Sequence, residues 1–592
     1  VSRGCKTILS FSKYAHWAFQ QYNLFLYTSL FFKQQIVAPG GFLSYLGSFF
    51  TQFFYHPWLG VMMLCGWWLL LMCLLKQTFS VPSRWNIVTL VPIAILLISN
   101  MQLGYWIYVM RLPGYFFSST IGSTISITLL WGFRKLPSII WSRIGFLAFV
   151  VVAGYPLMGA YALMTALLIC FWMWRFNKHS LENLIFVIIT LVTIAVVPLI
   201  YYRYVFYQIN IIAIYRAALP DFPFDEEFLK YLIPYYSLAV CFLAFIIMPF
   251  QYTPKNNLLK VEQISLLLLI MVGIWCFWYK DENFHHELRM QRCIELTDWE
   301  GVLEEGKKQE SEPNRAIVMM HNLALNRLGR QCEEMYNFKK GSKLSNTTLP
   351  IRMYHKIGRL INYQYGLMNE CHRMCMEDGV GLGWNVELLQ YMARAALLSN
   401  QPHVTRKYLN LLRQTHYYGD WADHIESLID NPEFREKDKE TGPIVHMMQY
   451  DDILGEGDGY VEKNLMVMLS KMDSDDPYFQ EQAVLAAMWT KNINDFWLRF
   501  DKYVKVYREL HSDEYIPRII QEAVYLFGNV QNLPFVNQLP FSQDVTDGFD
   551  GFMYLMQQCQ GKPSSWQKDY LYQKYGNTYY YEYFFENNNN YY

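Results

Sequence analysis

The first carboxylate in this chain is Glu182; residues 1–181 contain no Asp or Glu at all. A lipid-facing helix holds an unpaired acid only at high cost, whereas a Lys or Arg near a helix end can reach the headgroups. The whole-chain net charge of −1 is therefore a cancellation of two unlike halves. Residues 1–280 carry 18 Lys/Arg against six acids, a net of +12, and residues 281–592 carry 32 against 45, a net of −13. This asymmetry points to a membrane half followed by a water-soluble half, and away from nucleic-acid binding.

The wall between the halves is ISLLLLIMVGIWCFWY, residues 264–279, followed at once by Lys280 and Asp281. Upstream of it, spans are expected at residues 17–32, 59–75, 86–99, 115–133, 185–201 and 231–250, with two short ones inside 144–174. That makes nine with residues 264–279. As one helix, residues 144–174 would be about 46 Å long against a hydrocarbon core of about 30 Å. Gly154, Pro156 and Gly159 offer a place to turn. A single kinked helix there would leave eight spans and a cytoplasmic second half, but length favours nine. With the N-terminus inside, twelve Lys/Arg then fall in cytoplasmic segments and five outside. After Pro39-Gly40-Gly41, the aromatic-rich residues 42–58 suit a helix lying at headgroup depth.

From residue 281 onward the apolar spacing is helical, and strand-like alternation is scarce. Three helix–turn–helix units are expected, at residues 298–328, 384–414 and 479–503, of the size at which tetratricopeptide (TPR) repeats begin. Ala393, Ala395 and Ala396 would let one such pair approach closely. The expected fold class is all-α: a polytopic membrane helix bundle of about nine spans over residues 1–280, then a soluble TPR-like α-helical solenoid over residues 281–592. The expected placement is the bacterial inner membrane, with the soluble half periplasmic.

One outer loop carries both signs of charge. Arg203, Arg216, Asp221, Asp225 and Glu226 lie in it, led by Tyr201, Tyr202, Tyr204 and Tyr207. Forked guanidinium donors beside an aromatic membrane face match the oxygens of a phosphate. These residues, with His56, are the candidates for binding an anionic substrate. The plainer reading, a solvated loop whose charges pair locally, is the commoner one. His285-His286-Glu287 points its histidines to different helix faces, so no metal is expected there. The scattered cysteines make no disulfide framework, and no cofactor site is expected.

Three short stretches carry a family resemblance: Pro39-Gly40-Gly41 with Phe53 and Pro57; Asp298-Trp299; and Lys574-Tyr575-Gly576-Asn577-Thr578. Over nearly its full length the chain resembles an uncharacterised family of Bacteroidota envelope proteins, a domain of unknown function that brings no activity with it. It is more loosely similar to polytopic glycosyltransferases with an outer-face helical-repeat domain. That resemblance implies an acid in the first outer loop, and residues 33–58 have none, which leaves only metal-independent transfer using Arg203, Arg216 and His56. Two functions stand side by side. One is an envelope membrane protein, embedded in membrane lipid, that presents a helical-repeat surface to a protein partner. The alternative is a metal-independent outer-face glycosyltransferase or ligase acting on a lipid-linked substrate.

Overall fold

The computed structural model describes residues 18, 20–176, 181–222, 229–248, 256–341, 352–448, 460–510 and 516–586. It forms two compact units. The first comprises Val1–Lys280, Gly379–Leu389 and Asn410–Ala422, and the second Asp281–Asp378, Gln390–Leu409 and Asp423–Tyr592. Every regular element among the described residues is helical, apart from one isolated antiparallel bridge, Arg111 with Asp221.

Among the described residues six helices are long and apolar enough to cross a membrane: Pro57–Phe79, Ser83–Met101, Tyr115–Arg134, Ile140–Met158, Leu181–Tyr204 and Leu229–Ile247. Val261–Phe277 makes up to seven when counted together with the helix after it, and Ala160–Phe176 is apolar but shorter. Against the nine expected, the described residues thus hold six such helices, or up to seven. The stretch 144–174 does divide, at Gly159, whose φ of +57° turns the chain between Ile140–Met158 and Ala160–Phe176.

The expected first span, residues 17–32, is broken. Residues 23–27 have no regular structure, and a short helix, Ser29–Gln35, comes next. The polar residues at the break explain it. The Tyr418 hydroxyl donates to Oε1 of Gln20 at 2.6 Å and accepts from Nε2 of Gln21 at 3.0 Å. Nδ2 of Asn23 donates to the Ser48 carbonyl at 3.0 Å, and Tyr27 N–H to the Gln414 carbonyl at 3.0 Å. Buried amide side chains need such partners, and these come from far along the chain.

Gly41–Thr51, within the stretch expected at headgroup depth, packs against Tyr115–Arg134. The approach is close enough to require glycine. A Cβ on Gly47 would stand 2.3 Å from Ser118 Oγ and 2.5 Å from the Gly114 carbonyl oxygen. Gly114 itself, at φ +66°, would place a Cβ 2.0 Å from Ser48 N. Small residues at a helix crossing maximise contact where no water-driven force acts.

The second unit is built from capped helices packed in pairs. Asp298 caps Trp299–Lys307 by accepting from Gly301 N–H at 3.0 Å, and Asn314 caps Arg315–Arg327 by accepting from Ile317 N–H at 3.1 Å. These two helices pack together, as do Pro477–Thr490 and Ile493–Leu510. Between the latter, Lys491 turns through φ +56° and the Asn492 side chain caps Asn494 N–H at 3.1 Å. The helix Tyr579–Phe585 closes the core. Tyr579, Tyr580 and Tyr581 are all buried, with hydroxyls donating to the carbonyls of Met488, Val545 and Lys568 at 2.8, 2.8 and 3.3 Å.

Candidate functional site

The charged loop chosen from sequence is a folded piece of chain. The helix Leu181–Tyr204 ends with two N–H groups, of Val205 and Phe206, donating to the Tyr201 carbonyl at 2.9 and 2.7 Å. The Tyr201 hydroxyl donates to the Val152 carbonyl at 2.6 Å, and its ring stacks on Phe206 at 5.7 Å. Asn210 then makes a turn, its side chain accepting from Ile212 N–H at 3.1 Å and its carbonyl from Ala213 N–H at 2.8 Å. Asn is suited to this because its side chain mimics a backbone acceptor.

Four ties clamp residues 214–221. The Tyr155 hydroxyl donates to the Ile214 carbonyl at 2.7 Å, and the Tyr215 hydroxyl to the Ala195 carbonyl at 2.6 Å. Ala160 N–H donates to the Ala217 carbonyl at 2.8 Å, and Arg111 N–H to the Asp221 carbonyl at 3.0 Å. Ala218, at φ +68°, lies against Gly40, where a Cβ would come within 2.5 Å of the Ala218 Cβ. Gly40 N–H in turn donates to the Pro156 carbonyl at 2.9 Å. The Pro39-Gly40-Gly41 motif thus has a packing role here: it lets this loop lie against the chain.

The described members of the predicted site fall in two places. Arg203 is exposed on the last turn of Leu181–Tyr204. Arg216 is half-buried in the short turn Ile214–Arg216, and the Asp221 side chain is exposed although its carbonyl is engaged. Arg216 and Asp221 therefore share one clamped loop with Arg203 at its start. His56 is placed elsewhere, just before Pro57–Phe79, with its ring edge-on to Tyr55 at 5.1 Å and to Tyr417 at 5.5 Å. Asp225 and Glu226 lie outside the described residues.

In the second unit, sequence reasoning missed a set of buried ion pairs. Arg394 is held between Glu295, at 3.0 Å, and Glu440. The Tyr391 hydroxyl donates to Glu295 at 2.6 Å and the Tyr363 hydroxyl to Glu440 at 3.2 Å. His286 belongs to a second cluster, with Nδ1 2.8 Å from Glu305, while Arg289 donates to Glu305 at 2.7 Å and Lys308 at 3.1 Å. Burial pushes the Glu305 carboxyl up, but these three donors outweigh it and hold the group at about 2. Glu287 is buried beside Lys356 at 3.3 Å. His286 and Glu287 of the His285-His286-Glu287 run are thus engaged in separate structural pairs. Among the described residues no group of three or more His, Cys, Asp or Glu could hold a metal ion. A cavity of about 60 Å³ near Lys340, Tyr336 and Asn322 is large enough to admit water.

The surface of the second unit offers a different feature. On Ser564–Tyr575, Leu571 and Tyr575 are buried, while Trp566 and Tyr570 stay exposed and stack on each other at 5.0 Å. Gln543–Gln558, which packs on this helix, exposes Tyr554. Exposed, mutually stacked aromatics of this kind are enriched where proteins meet.

The model of a family of unknown function, DUF6057, matches residues 8–586, nearly the whole chain, and the chain belongs to that family. No curated protein and no solved structure matches it.

Proposed function

We propose that this member of DUF6057 is an integral inner-membrane protein of a bacterial envelope, whose first unit holds the chain in lipid while its second unit, a TPR-like helical array in the periplasm, docks a protein partner. The observation that carries this reading is the Trp566–Tyr570 stack, exposed on a helix whose opposite face is already committed to the core. The ion pairs of the second unit support it: Arg394, Lys356 and Arg289 are used up in holding helices together. Trp566→Ala with Tyr570→Ala should leave the protein at its normal level in the membrane yet fail to complement a deletion strain. Full complementation by the double variant would sink the reading. A reporter fused after Asp281 should read periplasmic; a cytoplasmic signal overturns the placement.

The second reading, a metal-independent transfer of a lipid-linked sugar or related group, draws on the rigidity of the loop that carries Arg216 and Asp221. It needs Arg203 and Arg216 to engage one phosphate through their forks. Arg203→Lys and Arg216→Lys should then each lower surface glycan without loss of protein, with Asp221→Asn mattering less. If Arg203→Ala and Arg216→Ala both complement fully, this chemistry is lost.

A further inference from the structure

Residues 205–215 double back along the helix they have just left. The Tyr215 hydroxyl reaches the Ala195 carbonyl at 2.6 Å, and Ala195 sits about nine residues before Tyr204, about 13 Å along the helix axis. The turn Ile214–Arg216 packs on Leu181–Tyr204, and the Tyr155 hydroxyl holds the Ile214 carbonyl from the other side. One face of this returning segment is committed to protein, with Phe206, Ile214 and Ala218 buried.

The other face is apolar and bare. Tyr204 is 78% exposed, Tyr207 75% and Ile212 67%, with Val205 and Ile211 half-exposed between them. The span it leaves is also exposed along Leu184, Ile188, Leu191, Val192 and Leu199, on the same side of the helix as Ala195, to which the segment returns. A stripe of that length on a span is a lipid contact, and exposed apolar residues of a segment held on that side near the helix end lie at the depth of the headgroups. Tyr is the residue type that favours this depth, with its ring in the acyl boundary and its hydroxyl in the wet layer. Irregular chain is excluded from the hydrocarbon because its N–H and C=O groups go unpaired there. In this segment the N–H groups of Phe206, Ile209, Ile212, Ala213 and Arg216 all have acceptors.

We propose that residues 204–215 form an interfacial loop sunk into the headgroup–acyl boundary of the bilayer, with Tyr204, Tyr207 and Ile212 inserted and Arg203 held at the level of the lipid phosphates. The Arg203 stem lies along apolar surface while its guanidinium reaches the phosphate layer. The inference rests on Leu181–Tyr204 being a span and not on the protein-docking reading.

The test uses the full chain in liposomes of phosphatidylethanolamine and phosphatidylglycerol. Nitroxide labels are placed at Tyr207→Cys, Ile212→Cys, Leu191→Cys and Asp221→Cys, in a background where native cysteines that label are replaced by Ala. Collision with oxygen, which concentrates in lipid, is compared with collision with a water-soluble nickel chelate. Oxygen should dominate at 191, 207 and 212, and nickel at 221. Nickel dominance at 207 and 212 with oxygen dominance at 191 makes the loop a water-facing one and overturns the proposal. Low values for both reagents at 207 and 212 mean that another protein or a second copy covers the face, which overturns it as well. Nickel dominance at 191 too would bring down the span on which the proposal stands. The unaltered chain gives a parallel reading that needs no variant, because a lipid with a photoreactive group near its headgroup should leave adducts within residues 204–215. Adducts confined to residues 184–200 would count against the loop.

Discussion

Tyr55 and Tyr417 lie face to face, with ring centroids 4.5 Å apart and planes 3° from parallel. His56, Phe53 and His416 gather around the pair. Replacing either tyrosine by Ala should lower the thermal unfolding temperature of the purified full chain. The double variant should lose less than the sum of the two, with a coupling of about 0.5–1.5 kcal/mol. Strict additivity would mean that the rings do not support each other.

Two glycines in the first unit should respond in opposite ways to the same change. Gly47→Ala forces a methyl group against Ser118 Oγ and the Gly114 carbonyl, so Gly41–Thr51 must back away from Tyr115–Arg134. Overpacking of this kind costs about 1–3 kcal/mol. A Cβ on Gly66, within Pro57–Phe79, meets nothing within 4 Å, and Gly66→Ala should be neutral or mildly stabilising. Comparable melting curves for the two variants would refute the close crossing.

Acid should weaken the second unit through Glu305. Its carboxyl is held near 2 in the folded chain, below the ordinary carboxylate range, so its contribution is complete above about pH 4.5 and is lost as pH falls toward 2. The advantage of the native chain over Glu305→Gln should be about 1–3 kcal/mol at neutral pH and should vanish near pH 2. A gap that stays constant across that range would contradict the ion-pair cluster.

Glu522 runs the other way. Burial pushes its carboxyl up to about 7, against the opposing effects of Tyr579 N–H and Arg518. The folded state keeps the proton that the unfolded state gives up, so stability falls as pH rises from about 4.5 to 7 and is level beyond. Glu522→Gln should therefore match the native chain near pH 4 and exceed it by about 1–3 kcal/mol at pH 8. Loss of stability at every pH would show that the Arg518 pair outweighs the burial.

The spans that sequence marks well are those whose apolar runs need no partner to explain them. Residues 115–133 were expected and Tyr115–Arg134 is found; 185–201 lies within Leu181–Tyr204. Residues 17–32 failed because Gln20, Gln21 and Asn23 find their partners in Tyr418 and Ser48, and no periodicity reports a bond made across 398 residues. Capped pairs such as Pro477–Thr490 with Ile493–Leu510 were legible because the Asn492 turn is local. The family motifs were legible as motifs, yet in the structure they are caps and close approaches: Asp298 caps the start of a helix, Gly40 admits Ala218, and Thr578 opens the helix that buries three tyrosines. For the loop of Arg203 and Arg216, sequence shows the charges and hides the reversal. That reversal is made by Tyr155 and Tyr215 hydroxyls reaching carbonyls far away in the chain.

The first unit includes Gly379–Leu389 and Asn410–Ala422, and this sets an order of events during synthesis. The ribosome finishes the last apolar helix and must add roughly 140 further residues, about 7 to 30 s of elongation, before Tyr417 and Tyr418 exist to close on Tyr55 and Gln20. Through that interval Gln20 and Gln21 lack the Tyr418 hydroxyl that pairs with both in the folded chain, so a nascent chain paused there is the form that an insertion chaperone or a membrane protease would meet.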